Sequence, residues 1–463
     1  MSARRRRRSV ASLLRILRIP SCPSLLLRNA TIVTMNDALD IVEGAVSIRD
    51  GRIASVGAEP ADWHDRVINA GGAYLLPGFI QTHVHLCQTL FRGYADDLPL
   101  LEWLQRRVWP MEAAHTAPTL RASTRLAAAE LLLTGTTTAL TMETVHDTDV
   151  VFEALERMGL RAVVGKCMMD SDRQVPARLQ EQTRASIDES VALRTRWDGR
   201  GNGRLRAAFA PRFAVSCSRA LLEAVADLSA RDRVIVHTHA AENRDEVEVV
   251  RRLSGGMTNL EYLADTGLAT PLLCTAHCVW VSEREQSLLA EHDVKVMHCP
   301  SSNLKLGSGL APVAEMRARG ISVSLGADGA ACNNRLDMFE EMRLAATIQA
   351  VRRHPGALQA RDALWMATRE GARALGLSDS IGSIELGKRA DLILVERDRP
   401  HLAPDGNPWS TLVYAARGTD VRTTIVDGEV LVDDFRLVNE EVAGITADAR
   451  DAAAMIVARA ELH

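Results

Sequence analysis

The sequence lacks any cysteine pattern that binds a metal or builds a disulfide framework. Eight cysteines are spread over 463 residues, and no CxxC pair or compact cluster occurs among them. In a chain of this length, such cysteines indicate reduced, mostly buried thiols. We therefore expect a cytoplasmic protein.

Two further absences narrow the possible partners. The formal net charge is −4, so the chain has no basic field, which disfavours nucleic-acid binding. No uninterrupted apolar run reaches about 18 residues, so we expect no membrane-spanning segment. The hydrophobic fraction of 47% and the charged fraction of 25% are typical of a soluble globular protein.

The first residues differ from the rest of the chain. A run of five arginines precedes an apolar segment that Arg15 and Arg18 interrupt, and no small-residue cleavage site follows. This pattern argues against a signal peptide. We expect a disordered basic extension over residues 1–22, with a basic arm or a membrane-surface helix as the alternative.

Short strand-like segments occur near both ends of the chain. LLLRNATIVTM and AVSIRDGRIASVG lie in residues 23–76, and GSIELGKRADLILVE and TTIVDGEVLVDD lie in residues 381–440. Turn residues such as Asp50-Gly51 separate the pieces, as in hairpins. We expect the two ends to form one small β-sandwich domain, followed by a helical tail over residues 441–463.

Residues 77–380 alternate between short β-branched or apolar runs and longer helical stretches rich in Ala, Leu, Glu and Arg. Such alternation predicts a parallel sheet, and eight runs predict a closed (β/α)₈ barrel of the TIM type. The fold class is therefore α/β. The runs are FIQTHVHL, GTTTALTME, RAVVGKCMMD, LRAAFAPRF, RVIVHTHAAE, LLCTAHCV, VKVMHCPS and ISVSLGADGA.

Polar residues cluster where these runs end, which is where such barrels keep their chemistry. His83 and His85 are two residues apart on the first run, so both side chains point to the same face. The fifth run ends at His239 and the eighth at Asp328. Three imidazoles and one carboxylate make a plausible ligand set for one divalent metal, zinc first and ferrous iron second. The alternative for a single HxH pair is two hydrogen-bonded core histidines.

Two more residues accompany this set. Glu242 lies three residues beyond His239, where it is either a proton shuttle or an acid of the first helical turn. His277 ends the sixth run, where it is either a fifth ligand or a group that polarises a metal-bound water.

Several of these segments resemble the amidohydrolase superfamily, specifically its cytosine/guanine/adenosine-type deaminase branch. The segments are PGFIQTHVH, HTHAAE, the run with His277, GADGA and the closing GSIELGKRADLILVE, and the resemblance covers about residues 25 to 440. It implies metal ligands His83, His85, His239 and Asp328. The fourth run, LRAAFAPRFAVS, offers no lysine to bridge a second ion, which argues for one metal.

The resemblance also implies a mechanism. A metal-activated water adds to an amine-bearing ring carbon, and Asp328 accepts the proton of that water while His277 holds the oxygen. Glu242 protonates the adjacent ring nitrogen and then relays a proton to the leaving ammonia. Catalytic residues are thus Glu242, His277 and Asp328. Because the chain keeps both Glu242 and His277, an enzyme is favoured over a non-catalytic, metal-dependent scaffold barrel.

The segments that bear on the substrate point in two directions. GYADDLPLLEWLQRRVWPMEA and GADGAACNNRLDMFEEMR resemble deaminases of S-adenosylhomocysteine, methylthioadenosine or 5′-deoxyadenosine, in which the glutamate at position 112 binds ribose hydroxyls. VGKCMMD, APRFAVSCS and AENRDEVEVV resemble guanine deaminases, in which Gln88 and Arg212 hold the purine. Arg212 stands where adenosine-type members carry histidine. Its alternative is an arginine paired with a nearby acid.

We expect a hydrolytic deaminase of an aminopurine, of the adenosine-nucleoside kind, with Gln88, Glu112, Arg212 and Glu242 as substrate-binding residues. Guanine deaminase is the second reading, and an s-triazine-type chlorohydrolase or aminohydrolase is the third. The partner is a small purine or related heterocycle. Barrels of this branch often assemble as homo-oligomers, and the sequence is compatible with either a homo-oligomer or a monomer.

Overall fold

The computed structural model describes residues 23–171 and 175–462. The prediction of a disordered extension over residues 1–22 concerns a segment outside the described residues. The seven described cysteines are all buried and free of disulfides. Among the described residues, no helix combines the length and the hydropathy needed to cross a bilayer.

Eight parallel strand segments form a ring in the middle of the chain. In ring order the first seven are Phe79–His85, Thr136–Met142, Arg161–Met168, Leu205–Pro211, Val236–Ala240, Leu273–His277 and Lys295–His298. The eighth segment is broken into Val323–Leu325, which pairs with the seventh strand, and Asp328–Gly329, which pairs with the first. Because the eighth segment bonds to both neighbours, the ring closes. The predicted barrel is confirmed.

The break in the eighth segment lets it approach the first strand closely. A Cβ atom at Gly326 would lie 2.6 Å from the carbonyl oxygen and 2.8 Å from the main-chain nitrogen of His83. Any larger residue there would push the two segments apart. This glycine therefore lets Asp328 reach the same height in the barrel as the pair His83 and His85.

Strands from both ends of the chain share a second, mixed sheet. From the N-terminal part come Leu25–Val33, Ile41–Arg49, Arg52–Gly57, Arg66–Asn69 and Tyr74–Pro77; from the C-terminal part come Leu392–Val395, Val421–Val426, Glu429–Asp433 and Arg436–Leu437. The two parts meet where Tyr74–Pro77 runs antiparallel to Leu392–Val395. A β-domain built from both chain ends is thus confirmed, while its exact limits stay a prediction.

Helices cover the barrel and close its upper end. Those of five or more residues are Trp109–Ala113, Ala117–Leu133, Thr148–Met158, Thr183–Trp197, Arg219–Asp232, Arg244–Leu253, Asn259–Asp265, Glu283–Glu291, Pro300–Lys305, Val313–Ala318, Met338–Arg352, Ala360–Ala367, Arg369–Ala374 and Val442–Arg459. Shorter or wider turns lie at Leu86–Phe91, Leu100–Trp103, Leu104–Val108, Ala177–Leu179, Pro408–Ser410, Thr411–Ala415 and Gly418–Asp420, and Arg200–Gly203 is a turn with left-handed residues.

Candidate metal centre and active site

Four side chains converge at the carboxyl ends of the first, fifth and eighth barrel strands. His83 Nε2 and His85 Nε2 lie 3.2 Å and 3.3 Å from Asp328 Oδ1, and His85 Nε2 lies 3.3 Å from His239 Nε2. All four ligand atoms lie within 4.8 Å of one another. Ligands held about 2.0–2.2 Å from one tetrahedral ion stand roughly 3.3–3.6 Å apart, so this spacing fits a common metal.

Hydrogen bonds outside the centre fix the orientation of two of the imidazoles. His85 Nδ1 donates to the carbonyl oxygen of Met142 at 2.7 Å, and His239 Nδ1 donates to the carbonyl oxygen of Arg212 at 2.7 Å. Because a carbonyl only accepts, Nδ1 must carry the proton in both rings. The Nε2 lone pairs are therefore left for a metal.

The protonation states of His83, His239 and Asp328 also suit a metal. Burial lowers the pKa of His83 to about 4 and holds the pKa of His239 well below its usual value, so both rings are neutral. Burial alone would raise the pKa of Asp328, but the histidines around it outweigh burial and hold that pKa well below its usual value. The buried Nε2 atom of His83 has no hydrogen-bond partner among the described residues. Neutral imidazoles, a carboxylate and an orphaned nitrogen fit one divalent ion.

Backbone conformation at two strand ends aims the side chains inward. His277 has φ = 74° and Asp328 has φ = 62°, in the left-handed region that residues other than glycine seldom adopt. Such strain persists where the surrounding structure enforces it, which is common at functional sites. The strain coincides with two of the residues predicted to be catalytic.

Glu242 and His277 face each other beside the four-residue cluster. Glu242 Oε2 lies 3.4 Å from His277 Nε2, and Glu242 Oε1 accepts a hydrogen bond from Ser308 Oγ at 3.3 Å. Burial raises the pKa of Glu242 to about 7. Burial lowers the pKa of His277, but the nearby carboxylates outweigh it and raise that pKa overall. An acid and an imidazole whose pKa values are both raised thus stand next to the metal centre.

His277 is hydrogen-bonded to the short helix Pro300–Lys305, which follows the seventh barrel strand. Its Nδ1 donates to Asn303 Oδ1 at 2.9 Å, and its Nε2 lies 3.9 Å from Asp328 Oδ2. Its Nε2 makes no hydrogen bond with the described residues. This geometry places His277 beside the ligand cluster, with its free nitrogen directed at the two carboxylates.

The three other predicted site residues form one buried network. Arg212 donates from both terminal nitrogens to Glu112, at 2.6 Å to Oε2 and 3.2 Å to Oε1. Gln88 Nε2 donates to Glu112 Oε1 at 2.9 Å, which leaves Gln88 Oε1 buried without a partner among the described residues. Arg212 is therefore paired with an acid, Glu112, which agrees with the alternative interpretation given for this arginine.

A pocket opens over the metal centre. It is lined by His85, Gln88, Leu100, Trp103, Leu104, Arg212, Phe213, His239, Glu242, Glu246, His277, Leu306 and Asp328. Glu112 does not line it but lies behind Gln88 and Arg212. The cavity is polar toward the metal centre and apolar on the opposite side.

Sequence reasoning missed one acid and most of the apolar wall. Glu246 lies one helical turn after Glu242, and its Oε2 accepts a hydrogen bond from the Glu242 main-chain nitrogen at 2.7 Å. That i, i+4 spacing was the available signal. The apolar residues Leu100, Leu104 and Leu306 carried no such signal, since leucine at those spacings is ordinary core.

A parallel barrel with three histidines, an aspartate and a protonatable glutamate at its upper end has the residues that a metal-dependent hydrolase needs. The model of the amidohydrolase family matches residues 74–431, and the chain belongs to that family. The resemblance inferred from the sequence is confirmed.

Curated relatives align over nearly the whole chain. A 5′-deoxyadenosine deaminase of Methanosarcina acetivorans is 39% identical over 438 residues, which cover 94% of this chain and 99% of the relative. A 5-methylthioadenosine/S-adenosylhomocysteine deaminase of Moorella thermoacetica is 40% identical over 413 residues, which cover 88% of this chain and 94% of the relative.

A solved structure is similar over the same extent. The crystal structure of an adenosine deaminase from Xanthomonas campestris with bound zinc superposes with a TM-score of 0.86 at 34% identity. The match covers 94% of this chain and 98% of that one. With the ligand cluster described above, these likenesses support one divalent metal in this chain.

Proposed function

We propose that this chain is a zinc-dependent hydrolytic deaminase of an adenosine-type nucleoside, and that His83, His85, His239 and Asp328 hold the ion. The observation that carries the proposal is the buried pair of Glu242 and His277 at the edge of that cluster, where both face the cavity. The likeness to deaminases of 5′-deoxyadenosine and of methylthioadenosine and S-adenosylhomocysteine supports the substrate class. The zinc in the Xanthomonas structure supports the choice of metal.

The chemistry divides between the ion and the side chains. A divalent ion at this centre would lower the pKa of a water molecule and supply a nucleophile near neutral pH. Asp328 accepts the proton of that water at Oδ2, an atom that also accepts a hydrogen bond from Ser302 Oγ at 2.6 Å. His277 holds the attacking oxygen through its free Nε2.

Glu242 performs the proton transfers on the purine. Its carboxyl group, with a pKa of about 7, carries a proton in a large fraction of molecules at neutral pH. It protonates the ring nitrogen next to the attacked carbon, and that proton stays on the ring. It then takes up the proton that the added hydroxyl loses as the carbonyl forms and passes this second proton to the leaving amine, which departs as ammonia. The proton that Asp328 removed from the water returns to Glu242 and restores the starting state. An acid with a pKa near the working pH is the best compromise for both transfers.

Gln88, Glu112 and Arg212 bind the rest of the substrate in this proposal. Both terminal nitrogens of Arg212 are bonded to Glu112, so few of its donors are free for a purine carbonyl. This arrangement favours the adenosine-type assignment over guanine. Gln88 presents its unpaired Oε1 as an acceptor, and Glu112 is held in place to receive ribose hydroxyls after a small shift of Gln88.

The test is ammonia release from guanine, adenosine, 5′-deoxyadenosine, methylthioadenosine and S-adenosylhomocysteine by the zinc-loaded protein. We expect release from adenosine-type nucleosides and none from guanine. Asp328→Asn serves as the control, because it removes a ligand and should abolish both zinc binding and release. Release from guanine alone would contradict the substrate class, and release by a zinc-free variant would contradict the metal role.

A further inference from the structure

A second histidine of the fifth strand lies directly behind the metal ligand His83. His237 precedes His239 by two residues, so its side chain points to the same face of the strand. It has no exposed surface, and its Nε2 lies 2.7 Å from Nδ1 of His83. The two rings meet edge to face, with centroids 4.8 Å apart and planes at 85°.

Only one arrangement of protons in this imidazole pair is compatible with metal binding. To bind through Nε2, His83 must carry its proton on Nδ1 and donate it to His237 Nε2. His237 must then be protonated on its own Nδ1. The reverse arrangement places a proton on His83 Nε2, at the centre itself, where the nitrogen can no longer bind a metal.

Asp328 competes for that proton in the metal-free protein. Asp328 Oδ1 lies 3.2 Å from His83 Nε2, so its negative charge attracts a proton to that nitrogen, although the two atoms are not aligned for a hydrogen bond. His237, on the other side of the ring, draws the proton to Nδ1. If the proton lies on Nδ1, facing His237, the Nε2 atom of His83 is ready to bind a metal. If it lies on Nε2, facing Asp328, the proton must first move to Nδ1.

His83 differs from the other two histidines of the centre in this respect. His85 and His239 donate to main-chain carbonyl oxygens, which only accept and which no side-chain substitution removes. His83 depends on a side chain that could act as donor or acceptor. Among the three histidine ligands, His83 is therefore the one in which a side chain outside the ligand set, that of His237, determines which ring nitrogen carries the proton.

We propose that His237 is a positioning residue that holds His83 in the Nδ1-protonated form in the metal-free protein and so raises the affinity of the centre for its metal. The inference rests on the metal centre of the proposed function. Removal of such an outer hydrogen-bond partner typically weakens metal binding about 10- to 100-fold.

The first test compares two substitutions in the metal-free protein. His237→Met nearly keeps the volume but removes the nitrogen acceptor, whereas His237→Gln keeps an acceptor near the position of Nε2. Competition with a chelator measures the zinc dissociation constant, and the absorption spectrum of the cobalt-loaded protein reports ligand geometry. We expect His237→Met to raise the dissociation constant about 10- to 100-fold with an altered cobalt spectrum, and His237→Gln to recover most of the affinity.

His298 provides the matched control. It is a buried histidine at the end of the seventh barrel strand, and neither ring nitrogen bonds to the described residues. His298→Met should leave the zinc dissociation constant within about threefold of wild type, since it removes no hydrogen bond to a ligand. An equal loss of affinity in both methionine variants would overturn the proposal, as would wild-type affinity in His237→Met.

A second measurement needs no substitution and therefore does not depend on the variants folding. Nitrogen NMR of histidine-labelled, metal-free wild type reports which nitrogen of His83 is protonated. Protonation on Nδ1 supports the proposal, and protonation on Nε2 overturns it. Failure of the wild type to bind any divalent metal would instead refute the proposed function, so the two failures are distinguishable.

Discussion

Replacement of Glu242 by glutamine removes a titratable proton from the site and changes little else. The residue is 4% exposed, and burial raises its pKa to about 7, so about half of the molecules carry the proton at pH 7. Glutamine has the same shape and can still accept the hydrogen bond from Ser308, yet it cannot exchange a proton. Loss of a general acid–base group typically costs 10²- to 10⁴-fold in rate. At about 1.36 kcal/mol per decade, the barrier should rise by about 2.7–5.4 kcal/mol.

The assay is steady-state ammonia release from an adenosine-type nucleoside, together with the zinc content of the purified variant. We expect Glu242→Gln to lower kcat by at least about 100-fold with unchanged zinc content, because Glu242 is not part of the ligand cluster. Glu246→Gln is the matched control, since it changes a second buried acid of the same cavity; it should lose less than about tenfold. Retention of more than about a tenth of wild-type kcat in Glu242→Gln, or loss of zinc, would refute the role of Glu242.

Three further predictions concern the network behind the cavity and the ion itself. Arg212→Met leaves the Glu112 carboxylate buried without its cation and should lower the free energy of unfolding, measured with denaturant, by about 3–5 kcal/mol. Gly329→Ala would place a Cβ 2.2 Å from Gln88 Oε1 and displace the Gln88 side chain. Displacement from its rotamer costs about 0.5–1.5 kcal/mol, which should raise KM about 2- to 12-fold with unchanged zinc content. Removal of metal with a chelator should abolish ammonia release, and added zinc should restore it.

Each substitution has a control elsewhere in the chain. Arg184 pairs with Asp188 on the surface, at 86% and 56% side-chain exposure, so Arg184→Met should cost less than about 1 kcal/mol. A Cβ at Gly406 would meet nothing within 4 Å, so Gly406→Ala should leave KM unchanged. Equal losses in Arg212→Met and Arg184→Met would contradict the buried pair. An unchanged KM in Gly329→Ala would contradict the role of Gln88.

The barrel and the ligand cluster were predictable because both follow from local patterns. Strand segments read as short β-branched runs, and a polar residue at the end of a run falls at the upper rim of a parallel barrel. His83 and His85 share a face through simple strand alternation. Once the runs are placed, His239 and Asp328 fall at the same rim of the barrel as the histidine pair, because all the parallel strands end there.

The network behind the cavity could not be read from the sequence in the same way. Glu112 and Arg212 are 100 residues apart and come together only through the closed ring. No periodicity links a helix at the barrel mouth to the end of the fourth strand. The break in the eighth segment was equally hidden, since the run ISVSLGADGA reads as one strand until the close approach at Gly326 is known.

Titration of the metal-free protein with zinc, followed by ammonia release from 5′-deoxyadenosine, tests the central claim most directly. We expect no release without metal, and a rise that reaches its plateau at about one zinc ion per chain. Release by the metal-free protein, or no release at any zinc concentration from 5′-deoxyadenosine or the other adenosine-type nucleosides, would contradict it.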